Sequence, residues 1–574
     1  MEQPFFAIVQ EMSMQPAIRT AITTALKSLD LPEVDFSVEH PADISHGDYA
    51  TNVAMVAAKQ AGQAPRQIAE QLAAALANIV PEVSSIDIAG PGFINFTLAR
   101  DYFTATTNQV LEAGETWGTH DAWTGKKVLV EYTDPNPFKE FHVGHLFTNT
   151  VGESIARLFV FGGADTKRCN YQGDVGMHVA NAVWGMRQLG MTAASDFTAT
   201  DLGKAYAHGT TAYKGGDTQI VADIKAINKA IYDRTDEGIN VLYDKGRAIS
   251  LEYFESLYVV VGTTFDYYFF ESEAGPKGRE LVQSHLDIFP ESNGAHVFLG
   301  EEHGLHTRVF INSEGLPTYE AKELALAKMK EDVVGVYDHS VISTANEITE
   351  YFKVLLKAMS FVYPELAAKT EHIGHGTVRL TSGKMSSRTG DVISAKSFIT
   401  EIAAAAAAKM EATGSVVDTK TAEQIAIAAI KYATLKGNIL QDSIFDKESA
   451  LSFEGDSGPY LQYTSARINS VLEKAAAVGV LPSTAVVPKV PYALERLLYR
   501  WPEVTQAALA ERAPHMVARY LTDLAGAFNT FYAEEKIADA DDAFAAYKAA
   551  LAQAIGQTLR NGLWVLGIEA PERM

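Results

Sequence analysis

Cysteine is almost missing from this chain: Cys169 is the only one in 574 residues. One thiol closes no intramolecular disulfide and builds no cysteine-ligated zinc site, and it suits a reducing, cytoplasmic compartment. Long apolar runs are missing too, so no membrane partner is expected. The opening stretch, MEQPFFAIVQEMSMQP, is acidic rather than basic and lacks a signal-peptide pattern. Positive charge is scarce, with 48 Lys and Arg against 71 Asp and Glu, a net charge of −23. Such a chain is a poor generic nucleic-acid binder, and a polyanionic partner must meet basic residues gathered on one face. No His/Asp cluster has metal-ligand spacing, and no Ser/His/Asp or Cys/His arrangement suggests a side-chain nucleophile. A protein-held metal is therefore not expected.

What is present is organised around Lys126 to Phe161. Val128, Leu129 and Val130 read as a buried parallel strand. Pro135 and Pro137 break regular structure. His142-Val-Gly-His145 follows, and Leu146, Ile155, Leu158 and Phe159 carry a helical period. The layout is strand, polar turn, then a helix N-terminus with two histidines at i and i+3. Such a terminus offers free N–H groups and positive dipole to a phosphate, and imidazoles there donate to phosphate oxygens. Gly144 has no Cβ, so a flat ring can lie against the backbone. Far along the chain, Gly383-Lys384-Met385-Ser386-Ser387-Arg388-Thr389-Gly390 is a glycine-bracketed loop with two cations and three hydroxyls, suited to closing over a polyphosphate.

At this length the chain should hold roughly two to four domains. Residues 1–120 read as an α+β unit, with Ile18, Ile22 and Leu26 on one helix face and a strand, Gly-Pro-Gly turn and strand over 86–98. Residues 121–410 hold the strands of a nucleotide-binding α/β sheet, interrupted by a weakly patterned insertion over about 190–300. His296, Thr307 and Val341 open segments that resume strand character. Residues 411–574 are helical in pattern.

His-x-Gly-His after a strand, followed much later by Lys-Met-Ser, resembles the class I aminoacyl-tRNA synthetases. The flanking residues are similar to the arginyl-tRNA synthetases over nearly the whole chain. Asp48-Tyr-Ala-Thr-Asn52, Gly90 to Phe96, Gly173-Asp174, Tyr319 and the segment Phe453 to Ile468 all carry the likeness. The resemblance implies a multidomain α/β chain. Its catalytic domain would be a Rossmann-like parallel sheet, flanked by a tRNA-contacting N-terminal α+β domain and a C-terminal all-α anticodon-binding bundle. It also implies an arginine–tRNA ligase. L-arginine and ATP, with Mg2+ expected, would give arginyl-adenylate, and the arginyl group would pass to the terminal adenosine of tRNA(Arg). Activation of arginine in this family characteristically requires tRNA. A cytoplasmic monomer is expected.

The resemblance also implies roles. His142, His145 and Lys384 would be catalytic. ATP would meet Lys139, Gly144, His375, Met385, Ser386, Ser387 and Arg388. Arginine would meet Glu131, Asn136, Asp174, Tyr319, Glu323 and Asn346. Three departures stand out: Ser387 replaces the second lysine of the loop, Glu323 the usual aspartate, and Asn346 the usual glutamine. Tyr319 and Glu323 lie one helical turn apart and face the same way. Tyr and Phe in the last helices are more often core than base-stacking platforms, so no anticodon contact is assigned to a named residue.

The literal string His372-Ile-Gly-His375 is a decoy. It leads toward a strand rather than a helix, so no helix N-terminus backs it. Other readings remain open: a small-molecule nucleotidylyltransferase, another class I synthetase, or a tRNA-binding paralogue with a degraded site. The first is usually far shorter, and intact His142, His145 and Lys384 weigh against the last.

Overall fold

The computed structural model describes residues 13–77, 79–381, 393–412 and 418–574. Its first helix, Met14–Ser28, buries Ile18, Ile22 and Leu26 on one face. That face packs on a four-stranded antiparallel sheet of β1 (Val38–Glu39), β2 (Tyr49–Thr51), β3 (Val83–Ala89) and β4 (Phe93–Leu98), in the order β1-β2-β4-β3. The Asp48-Tyr49 signature is spent inside the molecule. Asp48 is fully buried, accepts the Leu98 N–H at 2.8 Å and pairs with Arg496. The Tyr49 hydroxyl donates to Glu503 at 2.6 Å, and His40 meets the same carboxylate at 2.8 Å. These residues clamp the N-terminal unit onto the C-terminal helices.

The central sheet is built from β5 (Lys127–Glu131), β6 (Asp165–Gln172) and β7 (Tyr267–Phe270), with two strands from later in the chain. β8 (Glu291–Ser292), β9 (Ala295–Phe298) and β10 (Arg308–Ile311) do not join it; they form a separate antiparallel sheet. β11 (His339–Ala345) and β12 (Thr370–His375) complete the order β12-β11-β5-β6-β7, and every pairing is parallel. Val128 and Val130 face one core and Leu129 the other. Burial on both faces explains the unbroken apolar run. The chain winds outward from β5 through β6 and β7, then returns on the other side through β11 and β12. The crevice outside the carboxyl ends of β5 and β11 is thus a topological switch point, the usual ligand position in such sheets.

The helix Val143–Phe161 follows β5 and buries most of its length. Gly152 lets it lie directly on Tyr132, since a Cβ there would fall 2.2 Å from the ring. Glu153 ties the helix down, accepting from Arg157 at 2.6 Å and Arg168 at 3.1 Å.

The insertion is more ordered than its pattern suggests. Helices Ala199–Lys214, Thr218–Asp233 and Glu237–Val260 close over a core of their own with the helix Met177–Gln188. β13 (Val378–Leu380) pairs in parallel with β14 (Ser443–Phe445), linking the end of the α/β region to the helices beyond. Four long helices, Gly458–Ala477, Trp501–Ala510, Pro514–Glu534 and Ala545–Val565, then pack against the same core as the helix Val143–Phe161.

Candidate functional site

The turn after β5 is held in an unusual shape. Thr133, Asp134 and Phe138 all have positive φ, at 82°, 43° and 69°. Left-handed backbone costs an L-residue about 1–2 kcal/mol, so three such residues in one turn need outside support. Asn149 donates to the Thr133 hydroxyl at 2.9 Å, Tyr171 N–H to Asp134 Oδ1 at 2.8 Å, and Phe138 N–H to Ser250 at 2.9 Å.

The turn ends at His142, the N-cap of the helix Val143–Phe161. His142 Nδ1 accepts the His145 N–H, and His145 Nδ1 accepts the His142 N–H, both at 3.3 Å. The rings stack with centroids 3.6 Å apart. Each Nδ1 is an acceptor, so the proton of a neutral ring sits on Nε2. Burial, with Lys139 beside it, brings the His142 pKa down to about 4. Burial, then His142 and Lys139, depresses His145 well below the usual imidazole range. At neutral pH the pair is two uncharged Nε2–H donors at a helix N-terminus. Gly144 is required here for a reason the sequence reading missed. The flat ring against its backbone is His142 itself, which a Cβ would approach to 2.9 Å.

The flank of the lysine loop meets this turn. His142 bridges Ser394, Val143 N–H donates to the Ile393 carbonyl at 3.2 Å, and Ala395 N–H to Phe141 at 2.7 Å. Lys384, Met385, Ser386, Ser387 and Arg388 themselves lie outside the described residues.

At the carboxyl ends of β5 and β11 opens a cavity of about 510 Å³, within the usual range for small-molecule sites. Its wall is acidic. Glu131, Asp134, Glu271, Glu320, Glu323 and Glu347 all line it. Tyr319 and Glu323 begin the helix Tyr319–Val334 and both face the cavity, as their spacing predicts. Asn136 lines it too. The same helix carries two buried lysines. Lys330 pairs with Glu131 at 2.7 Å and Lys322 with Glu271 at 2.6 Å. Burial, then the charge of Glu131, pushes both Asp134 and Glu323 well above the usual carboxylate range. Lys139 is half-buried and has no ion pair among the described residues. It rests 5.2 Å from the Tyr206 ring, and burial lowers its pKa.

Three expected residues lie elsewhere. Asp174 sits behind the wall, accepting from Arg247 at 2.8 Å, from Ser272 N–H at 2.8 Å and from the Ser272 hydroxyl at 2.7 Å. It ties the start of the helix Glu271–Ser284 to the helix Glu237–Val260. Asn346 is exposed on the turn after β11, where its neighbours Glu347 and Ile348 line the cavity instead. His375 has both nitrogens engaged, Nδ1 with the Gly376 carbonyl at 2.9 Å and Nε2 with the Thr148 hydroxyl at 3.0 Å, so it straps β12 to the helix Val143–Phe161. The literal His372-Ile-Gly-His375 string is strand β12, as its context implies.

A second cavity, of about 490 Å³, lies among the C-terminal helices. The Arg467 guanidinium sits 4.8 Å from the Tyr463 ring and 5.6 Å from the Tyr532 ring, with Lys474, Arg573 and Met574 around it. Cations and aromatic faces gathered this way suit an unstacked nucleic-acid base.

Three family models match successive stretches of the chain. The arginyl tRNA synthetase N-terminal domain model matches residues 16–98, the class I (R) tRNA synthetase catalytic domain model 106–447, and the DALR anticodon-binding domain model 461–574. An arginine–tRNA ligase of Shewanella loihica is 30% identical, with 98% of this chain and 99% of the relative covered. One from Clostridium perfringens is 27% identical over 95% of this chain and 97% of its own length. The Thermus thermophilus arginyl-tRNA synthetase structure superposes with a TM-score of 0.76 at 26% identity, covering 98% of this chain and all of that one.

Proposed function

The chain belongs to the class I arginyl-tRNA synthetases and charges tRNA with arginine, and from that premise we propose how its residues divide the work. An arginine carboxylate oxygen attacks the α-phosphorus of ATP, the bond to the β-phosphate breaks, and pyrophosphate leaves. The pentavalent, charge-rich transition state needs positioned donors rather than a nucleophile. His142 and His145 give it two Nε2–H donors from a helix N-terminus. Lys139 adds a cation beside them, and Lys384 of the Lys-Met-Ser loop reaches over from the other side. Magnesium would come with ATP and offset phosphate charge.

Tyr319, Glu323, Glu131 and Asn136 line the pocket for the amino acid. Its acidity is what a guanidinium requires, and it rejects neutral analogues without an editing site. In the second step the ribose hydroxyl of the tRNA terminal adenosine attacks the arginyl carbonyl and AMP leaves. The cavity at Arg467, Tyr463 and Tyr532 takes a tRNA base. The chain works as a cytoplasmic monomer.

One observation carries this reading: the turn that starts at the carboxyl end of β5 places Asp134 and Asn136 in a carboxylate-lined cavity and ends in two stacked imidazoles at a helix N-cap. ATP–pyrophosphate exchange tests it, with each amino acid, with and without tRNA(Arg). Exchange with arginine that depends on tRNA is the expected result. Exchange with another amino acid, or none, removes the assignment of the pocket.

A further inference from the structure

The acidic wall is less negative than it looks. Glu131 is matched by Lys330 at 2.7 Å, Glu271 by Lys322 at 2.6 Å, and Glu320 by Arg308 at 3.7 Å. Glu347 is exposed to solvent. Two sheltered carboxylates remain that line the cavity and have no ion pair among the described residues, Asp134 and Glu323. We propose that Asp134 is a specificity-determining residue, which together with Glu323 grips the substrate guanidinium between two carboxylates. This deepens the pocket assignment above and rests on it.

Three features support the pairing. The left-handed turn at Thr133 and Asp134 is pinned from two sides, through Asn149 and through Tyr171 N–H, and a strained turn so well supported is a mark of function. The Asp134 carboxyl accepts only backbone N–H groups, from Tyr171 and from Asp134 itself, and no cation neutralises it among the described residues. A guanidinium offers five N–H donors in a planar fork and is suited to two carboxylates at once. Asp134 also feels the charge of Glu131, as Glu323 does, so all three crowd one end of the cavity. Lys330 quiets Glu131 in that group and leaves the other two for the substrate.

The bland alternative is that Asp134 merely accepts from Tyr171 to shape the turn. Asp134→Asn separates the two, because an amide oxygen still accepts that N–H while the charge is gone. The test measures the arginine KM in tRNA charging and the inhibition constant of citrulline, the uncharged isostere, for wild type and variant. Loss of a charged hydrogen bond predicts an arginine KM raised roughly 10- to 100-fold, citrulline inhibition within about twofold of wild type, and an ATP KM likewise. Asp134→Glu, which keeps the charge on a longer arm, should retain most of the preference for arginine over citrulline. An Asn variant whose arginine KM stays within about twofold of wild type overturns the proposal. So does a Glu variant that loses the preference as fully as Asn. A wild-type chain that charges tRNA with another amino acid fails differently: it removes the pocket assignment itself.

Discussion

The two ends of the cleft are shaped by the same force with opposite results. At the histidine end, burial favours the uncharged imidazole, and an uncharged imidazole with Nδ1 occupied is already a finished donor. At the acidic end, burial favours the protonated carboxyl, which is an unfinished acceptor until a cation arrives. On the proposed assignment, one end is preorganised for charge that develops during reaction. On the same assignment, the other stores an electrostatic cost that a guanidinium would relieve on binding. Catalysis and selection should therefore respond to mutation and to pH in separate ways.

The largest expected effect lies at the histidines. His142→Ala or His145→Ala should lower turnover by roughly two to three orders of magnitude, as for loss of a transition-state donor, with arginine KM nearly unchanged. His142 also caps its helix, and losing a cap costs about 1 kcal/mol. His142→Asn restores a cap, so comparing its melting temperature and turnover with those of the alanine variant separates fold from chemistry. Next in size is Glu323→Gln. Arginine KM should rise roughly 10- to 100-fold with the ATP KM held, since the amide keeps the shape and loses the charge. A fall in turnover at unchanged arginine KM would break the division between the two ends.

Much of this cleft is legible in sequence because it is local. A triple-aliphatic strand, two prolines and a helix N-cap lie within 36 residues, and Tyr319 and Glu323 are one turn apart. What is illegible depends on distant partners. Nothing in the sequence marks Lys322 and Lys330 as buried, yet both are, because Glu271 and Glu131 meet them across the fold. Asp134 precedes a proline and reads as a turn residue. Asp174 reads as a ligand from its motif and serves in space as a clamp on a helix start. The insertion hides its helices because they close on each other; Ile224, Ile227 and Ile231 do carry the period.

The pH dependence is third in size and contrasts the two ends directly. Burial and the charge of Glu131 raise the pKa values of Asp134 and Glu323, so falling pH protonates them before an exposed carboxyl would titrate. In the proposed site, arginine binds the ionised forms. Its KM should therefore rise on acidification through the raised pKa range, by up to about tenfold per pH unit for one linked proton, and level off on the alkaline side. His142 titrates near 4 and stays neutral throughout the neutral range. Turnover at saturating arginine should then be flat through about pH 6.5, where an ordinary histidine would titrate. A step in turnover near that value would show the imidazoles to be ordinary and erase the contrast.

The smallest effect concerns the residue between the two ends. Lys139 depresses the pKa of both His142 and His145, and the charge of Glu271 acts on it in turn. It is thus within electrostatic reach of each end. Glu271 is already paired with Lys322, however, and Lys139 has no ion pair among the described residues. A half-buried ammonium in that position raises affinity for a polyphosphate by simple charge. Lys139→Met keeps an unbranched chain of similar length and removes the charge that lies over Tyr206. The ATP KM should rise roughly three- to tenfold, about 1 kcal/mol, while arginine KM holds. If arginine KM moved instead, the cation would belong to the acidic wall, where it would oppose the substrate it lies beside. Its removal would then tighten arginine binding, and that sign distinguishes the two placements even when the magnitude is small.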